Sequence, residues 1–139
     1  MKIQCVSHGL IINESNILVY EVFDKISHKS FFRLIGGHIE FGESASGALI
    51  REFKEEINQE IEIVKHIDTF ESIFFYNGKD RHEFVSLFNI KFLNKSVYNQ
   101  RNIIGYEGPD RTFVADWIPI KEFTNKSKII YPLNILEYL

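Results

Sequence analysis

Three glutamates, Glu52, Glu55 and Glu56, stand at i, i+3 and i+4 in a stretch of helical periodicity. On a wheel of residues 45–57, Leu49, Ile50, Phe53 and Ile57 form one apolar stripe. The glutamates share a neighbouring face with Ala45 and Ala48, which leave room above the carboxylates. Each such pair of like charges destabilises a helix by roughly 0.2–0.5 kcal/mol. Taken alone, the cluster reads as a solvated acidic face, partly relieved by Arg51 and Lys54. The glycines just before it, Gly36 and Gly37, shift that reading. Backbone carbonyls from a glycine loop, with carboxylates on a rigid helix, make an all-oxygen site suited to Mg²⁺ or Mn²⁺.

The helix that must carry these groups has recognisable ends. Ser44 is an N-cap residue and Asn58 suits the left-handed C′ position. Before it, residues 2–12 and 17–23 read as strands joined through a turn at Asn13–Asn16, a predicted hairpin. Residues 24–30 read as a loop, and Ser30–Leu34 as a short strand entering the glycines. After it, residues 61–64 and 68–76 read as an interrupted strand, which Asn77-Gly78 turns back into an antiparallel strand over 81–92. Residues 93–111 are polar and predicted to be a long loop; residues 112–118 form a last strand, and residues 132–139 a terminal helix. The pattern gives a single domain over residues 1–139, of α/β class with a mixed, mainly antiparallel sheet.

Composition sets the outer bounds. The net charge of −3 argues against a coat protein for nucleic acid polymers, but not against a small polyanionic substrate beside a metal ion. The single cysteine, Cys5, excludes an internal disulfide and fits a reducing compartment. No signal-peptide pattern or membrane-length apolar run is present, so a cytoplasmic protein with no membrane partner is expected.

The central stretch resembles the Nudix box of MutT-like hydrolases. The pattern is Gly37, five residues, Glu43, seven residues, Arg51-Glu52, an apolar residue, any residue, then Glu55-Glu56. Matching these fixed positions by chance has odds of roughly one in ten million per start at about 7% usage per residue. The sequence departs from the family at Asn58 (usually Gly), at Gln59 (usually apolar) and at Ile35, where many members have Pro. The resemblance implies an α/β/α sandwich. It also implies a pyrophosphohydrolase that cleaves a nucleoside diphosphate linked to another moiety, with Mg²⁺ or Mn²⁺ as cofactor and water attacking a phosphorus.

Carried over residue by residue, the family's metal ligands fall on Glu52, Glu55 and Glu56, with a carbonyl of Gly36 or Gly37. Its structural brace falls on Glu43 and Arg51. The general base stays open between the box helix and a later loop; Glu107 is the loop candidate and Glu83 its competitor. Arg33 is a candidate phosphate contact and Tyr76 a base-stacking one. Asn134 resembles the base-reading asparagine of oxidised-nucleotide-cleaving members. A homodimer fits the family's habits, with no interface visible in the sequence. Two other functions compete: a catalytically silent nucleotide- or protein-binding module, against which the intact glutamate set argues, and an isoprenoid-diphosphate isomerase. The isomerase would want a catalytic cysteine, and Cys5 is remote from the box in sequence.

Overall fold

The partners of residues 3–10 decide the architecture, and they are not those of the predicted hairpin. In the computed structural model, which describes residues 1–139, β1 (Ile3–Leu10) runs parallel to β7 (Lys79–Phe92) and antiparallel to β5 (Gly36–His38). Val6 to Leu10 are buried without interruption, the pattern of a strand covered on both faces. Only β2 (Ile12–Asn13) pairs with β3 (Asn16–Asp24), through a tight turn in which Glu14 and Ser15 both take positive φ. The predicted hairpin is thus two residues deep. Its first arm leaves for a different sheet.

Two sheets result. The first has the order β5-β1-β7-β6, with β6 (Ile61–Tyr76) at its edge and bulged between Ile63 and Lys65 and between His66 and Asp68. Asn77 and Gly78, both at positive φ, make the turn between β6 and β7. The second sheet has the order β2-β3-β9-β8, with β4 (Lys29–Arg33) also paired to β3. Its far edge is β8 (Ile103–Tyr106) beside β9 (Thr112–Pro119). Only the β1–β7 pair is parallel among the strand ladders, so the sheets are mixed and mainly antiparallel.

The helix α1 (Ala45–Ile57) follows from its caps and its stripe. Ser44 Oγ accepts the Gly47 amide at 3.0 Å. Asn58 closes the helix at φ 55°, its amide donating to the Lys54 carbonyl at 3.1 Å. Leu49, Phe53 and Ile57 enter a core shared with Phe88, Ile90 and Phe92 of one sheet and Phe113 and Trp117 of the other. Burying each such side chain stabilises the fold by roughly 1.5–3 kcal/mol. A second core gathers Leu10, Leu34 and Leu87 with Phe123 of α2 (Lys121–Thr124), Ile130 and Ile135.

Two other expectations change. The long polar loop is mostly ordered. Lys95–Asn99 form a 3-10 turn capped by Asn94, whose Oδ1 accepts the Ser96 amide at 3.1 Å, and β8 follows. In β8, Ile103 and Gly105 face inward while Ile104 and Tyr106 face solvent, an alternation too short to stand out in sequence. The terminal helix is a 3-10 turn, Leu133–Tyr138, that buries Ile135 and leaves Leu133 exposed. Pro132, in extended conformation, precedes that turn and is not its first helical residue.

Candidate active site

One face of each sheet and one side of α1 enclose a cavity of about 670 Å³. Glu52, Glu55 and Glu56 enter it from α1, Glu83 from β7, and Glu107 from the turn between β8 and β9. Strand alternation fixes what faces them. Val6 and His8 project from β1 on the same side as Glu83 of β7, while Tyr20 of β3 and Arg33 of β4 are direct cross-strand partners. Five carboxyl groups therefore share a cavity with one lining cation, Arg33.

Arg51 organises the mouth of the cavity. Its Nε and Nη2 donate to the two carboxylate oxygens of Glu43 at 2.9 and 2.7 Å, a fork-to-fork pair. Nη2 also reaches the His38 carbonyl at 3.0 Å, and Nη1 reaches Glu52 at 2.9 Å and Glu55 at 3.2 Å. The Glu40 amide donates to Glu43 at 2.9 Å. Arg51 and that amide together hold the Glu43 carboxyl down at about 2. Loop, glycine strand and helix are thus tied at one guanidinium. Gly37 lies flat against Glu52, and a Cβ there would come within 2.3 Å of the Glu52 carboxyl carbon. At Gly36 a Cβ would meet the Ser7 carbonyl oxygen at 2.0 Å.

Glu56 lies deepest. It is buried, and burial drives its carboxyl well above the ordinary glutamate range, with the charges of Glu52 and Glu107 adding to the effect. Burial likewise pushes His8 well below the usual histidine value, helped by Arg33 and His38, so its imidazole is neutral; its Nδ1 has no hydrogen-bond partner. The Tyr20 hydroxyl is pushed up by burial, and Arg33, acting the other way, does not cancel the push. Arg33 donates to Glu83 at 3.3 Å and lies over the Phe74 ring at 5.5 Å, while its Nε is buried without a partner.

Glu52, Glu55, Glu56, Gly36, Gly37, Arg33 and Glu107 all line this cavity, as does Glu83. Glu43 and Arg51 form the brace behind it. Tyr76 lines an adjoining cavity of about 310 Å³, which shares Tyr20, Arg33 and Glu107 with the first. Asn134 lies in the C-terminal 3-10 turn and lines neither cavity. The sequence reading missed His8 and Tyr20. Tyr20 could have been found by pairing its strand with the one that carries Arg33; His8 required the β1–β7 pairing. No three His, Cys, Asp or Glu side chains converge into a preformed metal cluster. The donor chemistry nevertheless suits a hard cation: every candidate ligand is an oxygen, and the Glu52 and Glu107 charges beside the buried Glu56 disfavour its ionisation unless a cation joins them. Arg51, which holds one oxygen each of Glu52 and Glu55, would have to share or yield them.

The NUDIX domain family profile matches residues 5–135. No curated protein sequence matches the chain. Among solved structures, the Escherichia coli ORF135 protein superposes with a TM-score of 0.61 at 20% identity, over 99% of this chain and 88% of that one. A NUDIX hydrolase from Nitrosomonas europaea gives 0.62 at 18% identity, over 98% and 85%. A MutT NUDIX hydrolase from Burkholderia pseudomallei gives 0.59 at 19% identity, over 87% and 86%. At these identities the superpositions speak for the fold, and the family profile, which spans nearly the whole sequence, speaks for descent. The chain therefore belongs to the Nudix family, with its α/β/α sandwich, and is a hydrolase acting on phosphoric anhydrides.

Proposed function

We propose that this hydrolase cleaves a nucleoside diphosphate linked to a further group, with Mg²⁺ or Mn²⁺ held by Glu52, Glu55 and Glu56 and by a carbonyl of Gly36 or Gly37. The observation that carries the reading is the meeting of five carboxyl groups in one cavity, with Glu56 buried among them and no cation opposite it but Arg33. A bound divalent ion would neutralise charge at phosphorus and acidify the attacking water. The protein supplies the positioning. Arg51 and Glu43 hold the glycine strand against α1, so that Gly37 and Glu52 stay in register. Arg33 lines the cavity and presents its guanidinium charge to a phosphate, with Glu83 accepting from one of its Nη groups. The attacking water's proton goes to a carboxylate oxygen of the helix cluster or of Glu107; both line the cavity. The adjoining cavity, walled by Phe31, Tyr76 and Phe113, accommodates the aromatic base.

No helix is long and apolar enough to cross a membrane. The test is a panel of nucleotides incubated with Mg²⁺ and scored for phosphate, pyrophosphate and nucleoside monophosphate. Turnover of at least one nucleotide, abolished by chelator and restored by Mg²⁺ or Mn²⁺, is expected. Full turnover in excess chelator overturns the metal assignment. Tight nucleotide binding with no turnover under any metal would instead favour a silent binding module.

A further inference from the structure

The floor of the cleft does not end at the catalytic cavity. Register places Gln4 beside Glu83 and Arg81 opposite Phe74, while Lys79 is opposite Tyr76. Lys2, one step beyond the last β1 pair, continues the same alternation beside Arg81. Lys2, Lys79 and Arg81 therefore share the face that carries Val6, His8 and Glu83. They border a shallow cavity of about 580 Å³ at the open end of the sheet, with Asp80 as its carboxylate. A hydrogen bond between His38 and Gln4, 2.9 Å long, marks the rim between this ledge and the catalytic cavity.

The three cations of the ledge form no ion pair. Arg81 lies over the Tyr76 ring at 5.9 Å, and its Nε is buried without a partner, as is that of Arg33 over Phe74. Two arginine–aromatic stacks thus stand next to each other, each with an unsatisfied donor. Within a chain of net charge −3, whose main cavity is acidic, a patch of three free cations next to that cavity calls for an anion.

We infer that Lys2, Lys79 and Arg81 form a subsite for a phosphate carried by the substrate beyond the anhydride that is hydrolysed. This rests on the hydrolase reading above and adds a substrate class to it: nucleotides with an extra phosphate on the group distal to the attacked bond. That phosphate belongs either to a longer phosphoanhydride chain or to a phosphate ester on a sugar of the distal group.

Two pairs of substrates separate these sources. One is a dinucleoside polyphosphate with its homologue one phosphate shorter; the other is ADP-ribose with and without a phosphate ester on the distal ribose. In the wild type, the added phosphate should lower KM about tenfold in at least one pair, as expected for charge-assisted hydrogen bonds. The pair that shows the advantage identifies the source. The Lys2→Ala/Lys79→Ala double variant should remove most of that advantage and leave KM for the shorter partner unchanged; Arg81→Gln should remove the advantage as well, whatever it does to KM for the shorter partner through Tyr76. The lysine pair is solvent-exposed, so its variant keeps the fold even if Arg81→Gln does not. Absence of an advantage in both pairs, or an equal rise of KM for both members of a pair, overturns the inference. If no nucleotide turns over at all, the hydrolase reading fails by itself, and the ledge is judged on an NMR titration with inorganic tripolyphosphate. Shift changes confined to Lys2, Lys79 and Arg81 and lost in the lysine variant would support the subsite; an unresponsive ledge would refute it.

Discussion

Gly37 and Glu52 show how little space the catalytic end of the molecule leaves. The helix presents Glu52 at a point where any Cβ on residue 37 would overlap its carboxyl group. The glycine is therefore required by approach. Its extended backbone in β5 would suit other residues. Glu52 is long enough to swing away from an added methyl group, so Gly37→Ala should fold and melt close to the wild type. What it should lose is the register of Glu52 with Arg51 and with the glycine carbonyls. Small displacements of positioning groups cost on the order of 10²-fold in rate. The expected outcome is thus a large fall in kcat/KM with little change in melting temperature, read by kinetics beside a thermal melt. Wild-type turnover in Gly37→Ala would show that the close approach has no part in catalysis.

At the scale of elements, what could be read from sequence depended on distance along the chain. The box helix was legible because its signals are local: Ser44, the apolar stripe and Asn58 all act within one or two turns; both caps have the expected conformation, and of the stripe Leu49, Phe53 and Ile57 are buried while Ile50 is exposed. Asn58 gives this a test. It sits at φ 55°, where a side chain with a β-carbon and no local polar compensation is strained by about 1–2 kcal/mol. Asn58→Ala should therefore destabilise by about that amount, while Asn58→Gly should melt at or above the wild type. Equal melting of all three proteins would contradict the left-handed cap. The sheets were less legible. β1 pairs with a strand nearly 80 residues away, and nothing near residues 3–10 says so, because an apolar run is equally content beside β3 or β7. The same gap hid His8 from the site. β8 escaped because its four residues alternate around a glycine, and Gly105 offers no side chain to reveal which way it faces. The carboxylates of the helix came directly from spacing, and Arg33, Glu83 and Glu107, which share their cavity, were already candidates; His8 and Tyr20 required the pairing of strands.

For the whole molecule, the groups whose titration the fold shifts make opposing demands on pH, and their signs can be worked out for the metal-free protein. Glu43, Asp24 and Asp116 titrate below their ordinary values. Each contributes stability that is present above the normal carboxyl range and lost as pH falls through its lowered value. His8 is held neutral, so the unfolded chain binds a proton near pH 6.5 that the native state refuses, and stability rises with pH up to that point. Glu56 acts in the other direction. Its folded value is raised to about 9, so between the ordinary glutamate value and about 9 the native state holds a proton that the unfolded chain has released, and stability falls as pH rises. Around pH 5–6 the His8 and Glu56 slopes oppose each other, and above about 6.5 only the Glu56 slope remains. The chelated wild type should therefore be flat near pH 5–6 and lose melting temperature steadily from about pH 6.5 to 9. Glu56→Gln carries no titrating group there and should rise to about pH 6.5 and then stay level, overtaking the wild type at alkaline pH. Saturating Mg²⁺ should flatten the wild-type decline, because an ion at the carboxylates favours their charged form, and should do so far less for Glu56→Gln. The measurement is four melting-temperature profiles, two proteins with and without Mg²⁺, across pH 5–9. Parallel profiles for the two chelated proteins would show that Glu56 is not the buried acid of this cavity, and an equal Mg²⁺ effect on both would remove it from the proposed ligands.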